Sequence, residues 1–185
     1  YYNLGLAYMA LNKHEEAEYN FRKTLGLNPE DADAYYNLGL LLHAKNRVEE
    51  AVSSFKKSIE LKNEDSDSFY SLGLALLDIN KYDESIENFK LALEKMPNNT
   101  DYLIGLAQAY DKKSSSTGMF GDIELAIENY TAVLTLEPEH EEANYRLAIC
   151  YAKKGLWEES VSYCKKVIEI NNESFKAYNQ LGLAL

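Results

Sequence analysis

Between residues 32 and 65 the apolar positions fall into two runs of helical period. Tyr35, Leu38, Gly39 and Leu42 recur at i, i+3, i+4 and i+7, which gathers them on one side of a helix, with Asp31 just ahead as its cap. Past Asn46 a second run, Val48, Ala51, Val52, Phe55, Ile59 and Leu61, keeps one side apolar while Lys56, Lys57 and Glu60 take the other. The spacing predicts a helix, a tight turn and a second helix. The phrase then returns along the chain, starting at Tyr1, Tyr35, Phe69, Leu103, Asn144 and Tyr178, at intervals of 34, 34, 34, 41 and 34 residues. Self-similarity at a fixed period means one supersecondary unit stacked on itself.

Punctuation supports this reading. Asn12, Asn46, Asn80, Gly121 and Gly155 stand at the turn inside each repeat, all types that tolerate a left-handed backbone. Asn28-Pro29, Met96-Pro97 and Glu137-Pro138 separate repeats, with Asn63 and Asn172 at that place in the other two junctions. Small residues (Gly5, Gly39, Gly73, Ala107, Ala148 and Gly182) recur on the first helix, helix A. Large ones (Phe21, Phe55, Phe89 and Tyr130, then Cys164) recur on the second, helix B, as interlocking helices require. The expected fold is all-α. The chain reads as a single repeat domain over 1–185, with repeats at about 1–31, 32–65, 66–99, 100–140 and 141–174 and a partial one at 175–185.

A formal net charge of −11 argues against nucleic acid and anionic lipid as partners and favours basic or neutral polypeptides. Two cysteines, Cys150 and Cys164, are too few for a disulfide framework and read as half-buried thiols of a reducing, cytoplasmic compartment. No apolar run reaches the ~20 residues a membrane span needs.

In the first repeat the pattern is Tyr1, Leu4, Gly5, Tyr8, Ala17, Phe21 and Pro29, which resembles the tetratricopeptide repeat, and the resemblance extends over the whole chain. It implies a right-handed superhelical solenoid of antiparallel helix pairs, five repeats plus the first helix of a sixth. Its A helices would line a concave groove for peptides or proteins. The stripe facing that groove lies one residue beyond the packing stripe. Its columns read Asp33, Asp67, Asp101, Glu142, with Lys176 ending the row; Tyr2, Tyr36, Tyr70, Ile104, Tyr145; and Leu6, Leu40, Leu74, Gln108, Ile149. A tyrosine-lined trough edged by carboxylates suits a peptide or helix carrying Lys or Arg among apolar residues. The acids also have a ligand-free explanation, since each lies in a helix first turn where negative charge is stabilised by about 0.3–1 kcal/mol. Tyrosines and acids stand where the chaperone-binding members of the family hold a C-terminal carboxylate, so that clamp is absent. Asn3 and Asn37 match the asparagine row that, in O-linked N-acetylglucosamine transferase, holds a peptide backbone. The row lapses at Ser71, Gly105, Arg146 and Gln180.

The 41-residue interval places seven extra residues, Ser114 to Phe120, in the turn of the fourth repeat. There Met119 and Phe120 read either as an edge hook or as part of a solvated insertion. Trp157 reads as a packing residue at the start of helix B. His14, His43 and His140 share no metal-ligand spacing, and no nucleophile and base stand together. The chain is therefore read as a non-enzymatic scaffold without cofactor. The alternatives are the targeting part of a larger enzyme and a repeat that self-associates end to end.

Overall fold

The computed structural model describes residues 1–62 and 65–184, with Phe120 described by its backbone alone. Asn63, assigned to a junction, lies outside the described residues. Among these residues the fold is all-helical: α1 Tyr2–Ala10, α2 His14–Leu27, α3 Ala32–Ala44, α4 Val48–Leu61, α5 Ser66–Asp78, α6 Tyr82–Lys95, α7 Thr100–Thr117, α8 Phe120–Leu136, α9 Glu141–Lys153, α10 Trp157–Ile170 and α11 Phe175–Ala184. They gather into two compact units, Tyr1–Pro97 and Asn98–Leu185. In the first, α1 to α6 pack each on the next, and the A helices α1, α3 and α5 also touch in sequence. In the second, α7 packs on α8, α8 on α9, α9 on α10, and α11 on both α9 and α10.

Local chemistry sets the boundaries. The Asp31 carboxylate accepts from Ala34 N at 2.9 Å and caps α3, and Asn99 does the same for α7 through Tyr102 N at 3.1 Å. Asn12, Asn46 and Asn80 turn the chain at φ of 55°, 58° and 59°, and Gly155 at 74°. The residues before Pro29, Pro97 and Pro138 leave the helical region, with φ between −135° and −133°, a backbone compatible with a following proline and shared by Asn171, which has none after it.

The small-and-large alternation is visible atom by atom. A methyl placed on Gly39 would lie 2.6 Å from Phe55 Cε1; on Gly5 and Gly73 it would meet Phe21 and Phe89 at 2.7 and 2.8 Å. These rings are fully buried. The Ser85 hydroxyl donates to Gly73 O at 2.7 Å, which the same close approach allows.

Two sequence expectations are corrected in the fourth repeat. The extra residues do not form a loop: α7 is five residues longer than α3, α8 is three longer than α4, and the connection is one shorter, which accounts for all seven. Serine and threonine side chains are consistent with this helix because they bond back to it, Ser115 to Asp111 O and Thr117 to Lys113 O, each at 2.9 Å. The left-handed turn residue is Gly118, φ 70°, whereas Gly121 sits inside α8. Trp157, read as a packing residue, opens α10 half exposed, whereas in its column Val48 and Ile123 are buried and Tyr82 is half-buried.

One network joins the first two repeats outside the core. Glu18 on α2, only 15% exposed at its side chain, receives Arg47 at 2.7 and 2.8 Å and Lys45 at 2.9 Å from the α3–α4 turn, with Arg22 at 2.8 Å. Burial opposes ionisation of Glu18, but the hydrogen bonds from Lys45 and Arg47 outweigh it and hold its pKa below the ordinary 4.5. A carboxyl with a depressed folded-state pKa stabilises the fold above its unfolded pKa and loses that contribution as pH falls through the folded value. Acidification from about pH 5 to about pH 3 is thus expected to lower the urea midpoint of unit 1. Glu18→Gln should flatten that fall, and an unchanged pH profile in the variant would remove the network from the acid response.

Candidate interaction face

In unit 1 the face assigned to a ligand is built on α1, α3 and α5. Each tyrosine of that stripe lies with its ring tilted on the phenylalanine of its own helix B. The pairs are Tyr2 on Phe21, Tyr36 on Phe55 and Tyr70 on Phe89, with centroids 6.1, 5.9 and 5.7 Å apart. The rings are half-buried. Leu6 and Leu40 pack against the same core from beside them, and Leu74 is half-buried on α5. Asn3, Asp33 and Asp67 are exposed at the starts of their helices, and Lys62 stands 3.6 Å from Asp33.

The polar tips are partly committed to neighbours. The Asn37 amide donates to Tyr2 Oη at 3.0 Å and to Asp33 O at 2.8 Å, so its nitrogen serves the protein and its carbonyl oxygen is what it offers a ligand. The Tyr36 phenol lies near Ser71 of the next repeat. Burial is the leading cause that pushes both phenols up in pKa, with nearby aspartates adding to it, so each keeps its proton. At the far end of the helices His43 Nε2 meets Asp78 Oδ2 at 2.8 Å, bridging α3 to α5.

Unit 2 carries the remaining assigned residues on α7, α9 and α11. Asp101 is exposed at the start of α7. Glu142 accepts from Arg146 Nε at 2.7 Å, and Tyr145 lies beneath Lys176 Nζ, 5.9 Å from its ring centroid. Sequence reasoning overlooked the pair equivalent to His43–Asp78: Asp111, 95% buried, bonds Lys153, which also donates to Ser115 at 2.9 Å. Its signal was only that these residues fall in the columns of His43 and Asp78. Met119 is 61% exposed at the α7–α8 connection, whereas the side chain of Phe120, the other half of the hook, lies outside the described residues.

Cys150 and Cys164 are fully buried, and burial pushes the Cys150 thiol up to about 12 and raises that of Cys164 as well. Such thiols are poor nucleophiles. Among the described residues no cluster of three or more His, Cys, Asp or Glu is placed to hold a metal ion, and no helix is long and apolar enough to cross a membrane.

Sequence models of the tetratricopeptide repeat match residues 2–66, 66–96 and 119–184. No curated protein matches the chain. Among solved structures the fold is similar to YrrB, described as a TPR protein with an unusual peptide-binding site, at TM-score 0.84 and 25% identity over 96% of this chain and 88% of that one. It is also similar to MamA, at 0.85 and 24% over 95% and 99%. A thermophilic TPR protein of Thermus thermophilus matches at 0.68 and 18%, over 99% and 96%.

Proposed function

The chain belongs to the tetratricopeptide repeat family, and on that premise we propose that it is a protein-interaction scaffold holding a peptide or helix against its A helices. What carries this reading is the row of half-buried tyrosines on α1, α3 and α5, each ring packed on a phenylalanine of its own helix B. A ring already fixed loses little conformational entropy on contact, which is the condition for an effective anchor. The peptide-binding description of YrrB supports the same direction.

The ligand in this proposal interleaves Lys or Arg with apolar residues. In unit 1 Leu6, Leu40 and Leu74 receive its apolar side chains, Tyr2, Tyr36 and Tyr70 its larger contacts, and Asn3 and Asn37 its backbone, while Asp33 and Asp67 favour its cations; unit 2 offers the same kinds of group by itself in Tyr145, Asp101 and Glu142, in a chain of net charge −11. The acids give the clearer test, because Asp33, Asp67 and Asp101 are exposed and each exchange costs the fold only about 0.3–1 kcal/mol. Peptides panned from a random displayed library on the wild-type chain should be enriched in basic and apolar residues. Their affinity should fall about tenfold, the equivalent of ~1.4 kcal/mol, in the triple Asp→Asn variant, with a shallower salt dependence. Selected peptides of acidic composition, or affinity indifferent to the three exchanges, would count against the reading.

A further inference from the structure

Two recesses in unit 2 share no residue with the tyrosine stripe and meet at Pro138. The first, of about 440 Å³, is lined by Pro138 and Glu139 from the α8–α9 connection and by Lys166, Glu169 and Ile170 from the end of α10. The second, of about 520 Å³, continues past the proline along Glu137, Glu139 and His140. Hydrogen bonds fix their walls. The Asn144 amide donates to Pro138 O and His140 O, each at 3.1 Å, and the Asn171 amide, next to Ile170, donates to the two oxygens of Glu141 at 3.2 and 3.1 Å. A recess already held in shape needs little ordering on contact.

The charges of the first recess are not matched as they are in unit 1. On α4, Lys57 and Glu60 take the places that Lys166 and Glu169 take on α10, and there the lysine bonds the glutamate at 2.9 Å. α10 carries Tyr163 where α4 carries Ser54, and Lys166 lies over that ring instead, with Nζ 4.8 Å from its centroid. Among the described residues neither Glu139 nor Glu169 pairs with a cation, and both are exposed. Between them lies carbon, from the exposed Pro138 and from Ile170 at 37% exposure. An aliphatic stem that ends in a cation matches this order of groups, its stem covering proline and isoleucine and its head meeting the carboxylates. Arginine fits better than lysine, because its flat fork reaches acceptors on two sides and is more weakly hydrated than an ammonium.

We propose that the recess between Pro138 and Ile170 takes an arginine side chain of a partner polypeptide. The guanidinium bonds Glu139 and Glu169, and the partner's chain runs on over Pro138 into the second recess, where Glu137 adds a further carboxylate. That the arginine belongs to a polypeptide rests on the scaffold reading above; the preference of the recess for arginine does not.

The test is a titration of the intact chain followed in nitrogen-15 backbone spectra at constant ionic strength. The probes are N-acetylarginine amide, its neutral isostere N-acetylcitrulline amide, and N-acetyllysine amide. The arginine probe should move the amide signals of Glu139, His140, Glu169 and Ile170 along one saturating curve, the lysine probe should bind more weakly, and the citrulline probe should move nothing. Glu139→Gln combined with Glu169→Gln, both on exposed side chains, should weaken the arginine curve roughly threefold or more, whereas Asp33→Asn combined with Asp67→Asn should leave it unchanged. An equal response to citrulline, or an arginine curve indifferent to the two glutamine exchanges, would overturn the proposal. No selected peptide enters this titration, so its failure removes the arginine recess and leaves the scaffold reading intact, and a failed peptide selection does the reverse.

Discussion

Phe55→Ala is expected to cost unit 1 about 3–5 kcal/mol, read as a fall in the urea midpoint at unchanged slope. The ring is fully buried, fills the socket over Gly39 and supports the underside of Tyr36, so truncation leaves a hole that the backbone cannot close. Domain stabilities of about 5–15 kcal/mol make that a large fraction of the total. The partner exchange sharpens the test. Gly39→Ala gains about 0.5–1 kcal/mol of helix propensity but drives a methyl to 2.6 Å from the ring, an overpacking that costs about 1–3 kcal/mol, so a net loss is expected. In the double variant the methyl occupies part of the vacated socket. The combined loss should then be smaller than the sum by at least ~0.5 kcal/mol, and strict additivity would show that the two positions do not share one space.

That pairing explains why so much of the fold could be read from residue spacing. Gly39 and Phe55 constrain each other through direct contact, and the constraint recurs wherever the contact recurs, as at Gly5 with Phe21 and Gly73 with Phe89. Turn positions were legible for a similar reason, since few residues accept φ near 55–74°. The fourth repeat was misread because composition was weighed over local bonding. Ser114 to Thr117 looks like a loop, yet hydroxyls can be satisfied by the carbonyl one turn back and helix is then tolerated. With two glycines available, spacing favoured Gly121 as the turn, but lengthening of both helices moves the turn to Gly118.

The tyrosine stripe was legible in outline and its contacts were not. Periodicity placed Tyr2, Tyr36 and Tyr70 on one stripe, and the structure keeps them there, half-buried. Their attachment to phenylalanines of helix B depends on how closely the helices approach, which a column of letters does not encode. Alanine at these tyrosines would therefore disturb packing and contact together, and the exposed acids are the better probes of binding. Asn37 shows the same limit: its column is read from spacing, but its amide nitrogen is engaged by Tyr2 and Asp33 before any ligand arrives.

Two tyrosine-to-phenylalanine exchanges should move stability in opposite directions. Tyr130 occupies the position of Phe21, Phe55 and Phe89 and is fully buried, and its hydroxyl has no hydrogen-bond partner among the described residues. Burial first, then the nearby Asp111 carboxylate, pushes its pKa far up, so the group stays neutral and cannot be redeemed by ionising at ordinary pH. A buried hydroxyl without a partner carries a desolvation cost of about 1–3 kcal/mol. Tyr130→Phe removes that cost and leaves a ring that the same fold accepts three times over, so unit 2 should gain ~1 kcal/mol or more in its urea midpoint. Tyr2→Phe instead deletes a phenol that accepts from the Asn37 amide at 3.0 Å, and should cost about 0.5–1.5 kcal/mol. A loss of stability in Tyr130→Phe would mean that the hydroxyl finds an acceptor or a bridging water in solution. The contrast between the two exchanges then isolates the hydroxyl's surroundings as the deciding variable, since the chemical change is identical.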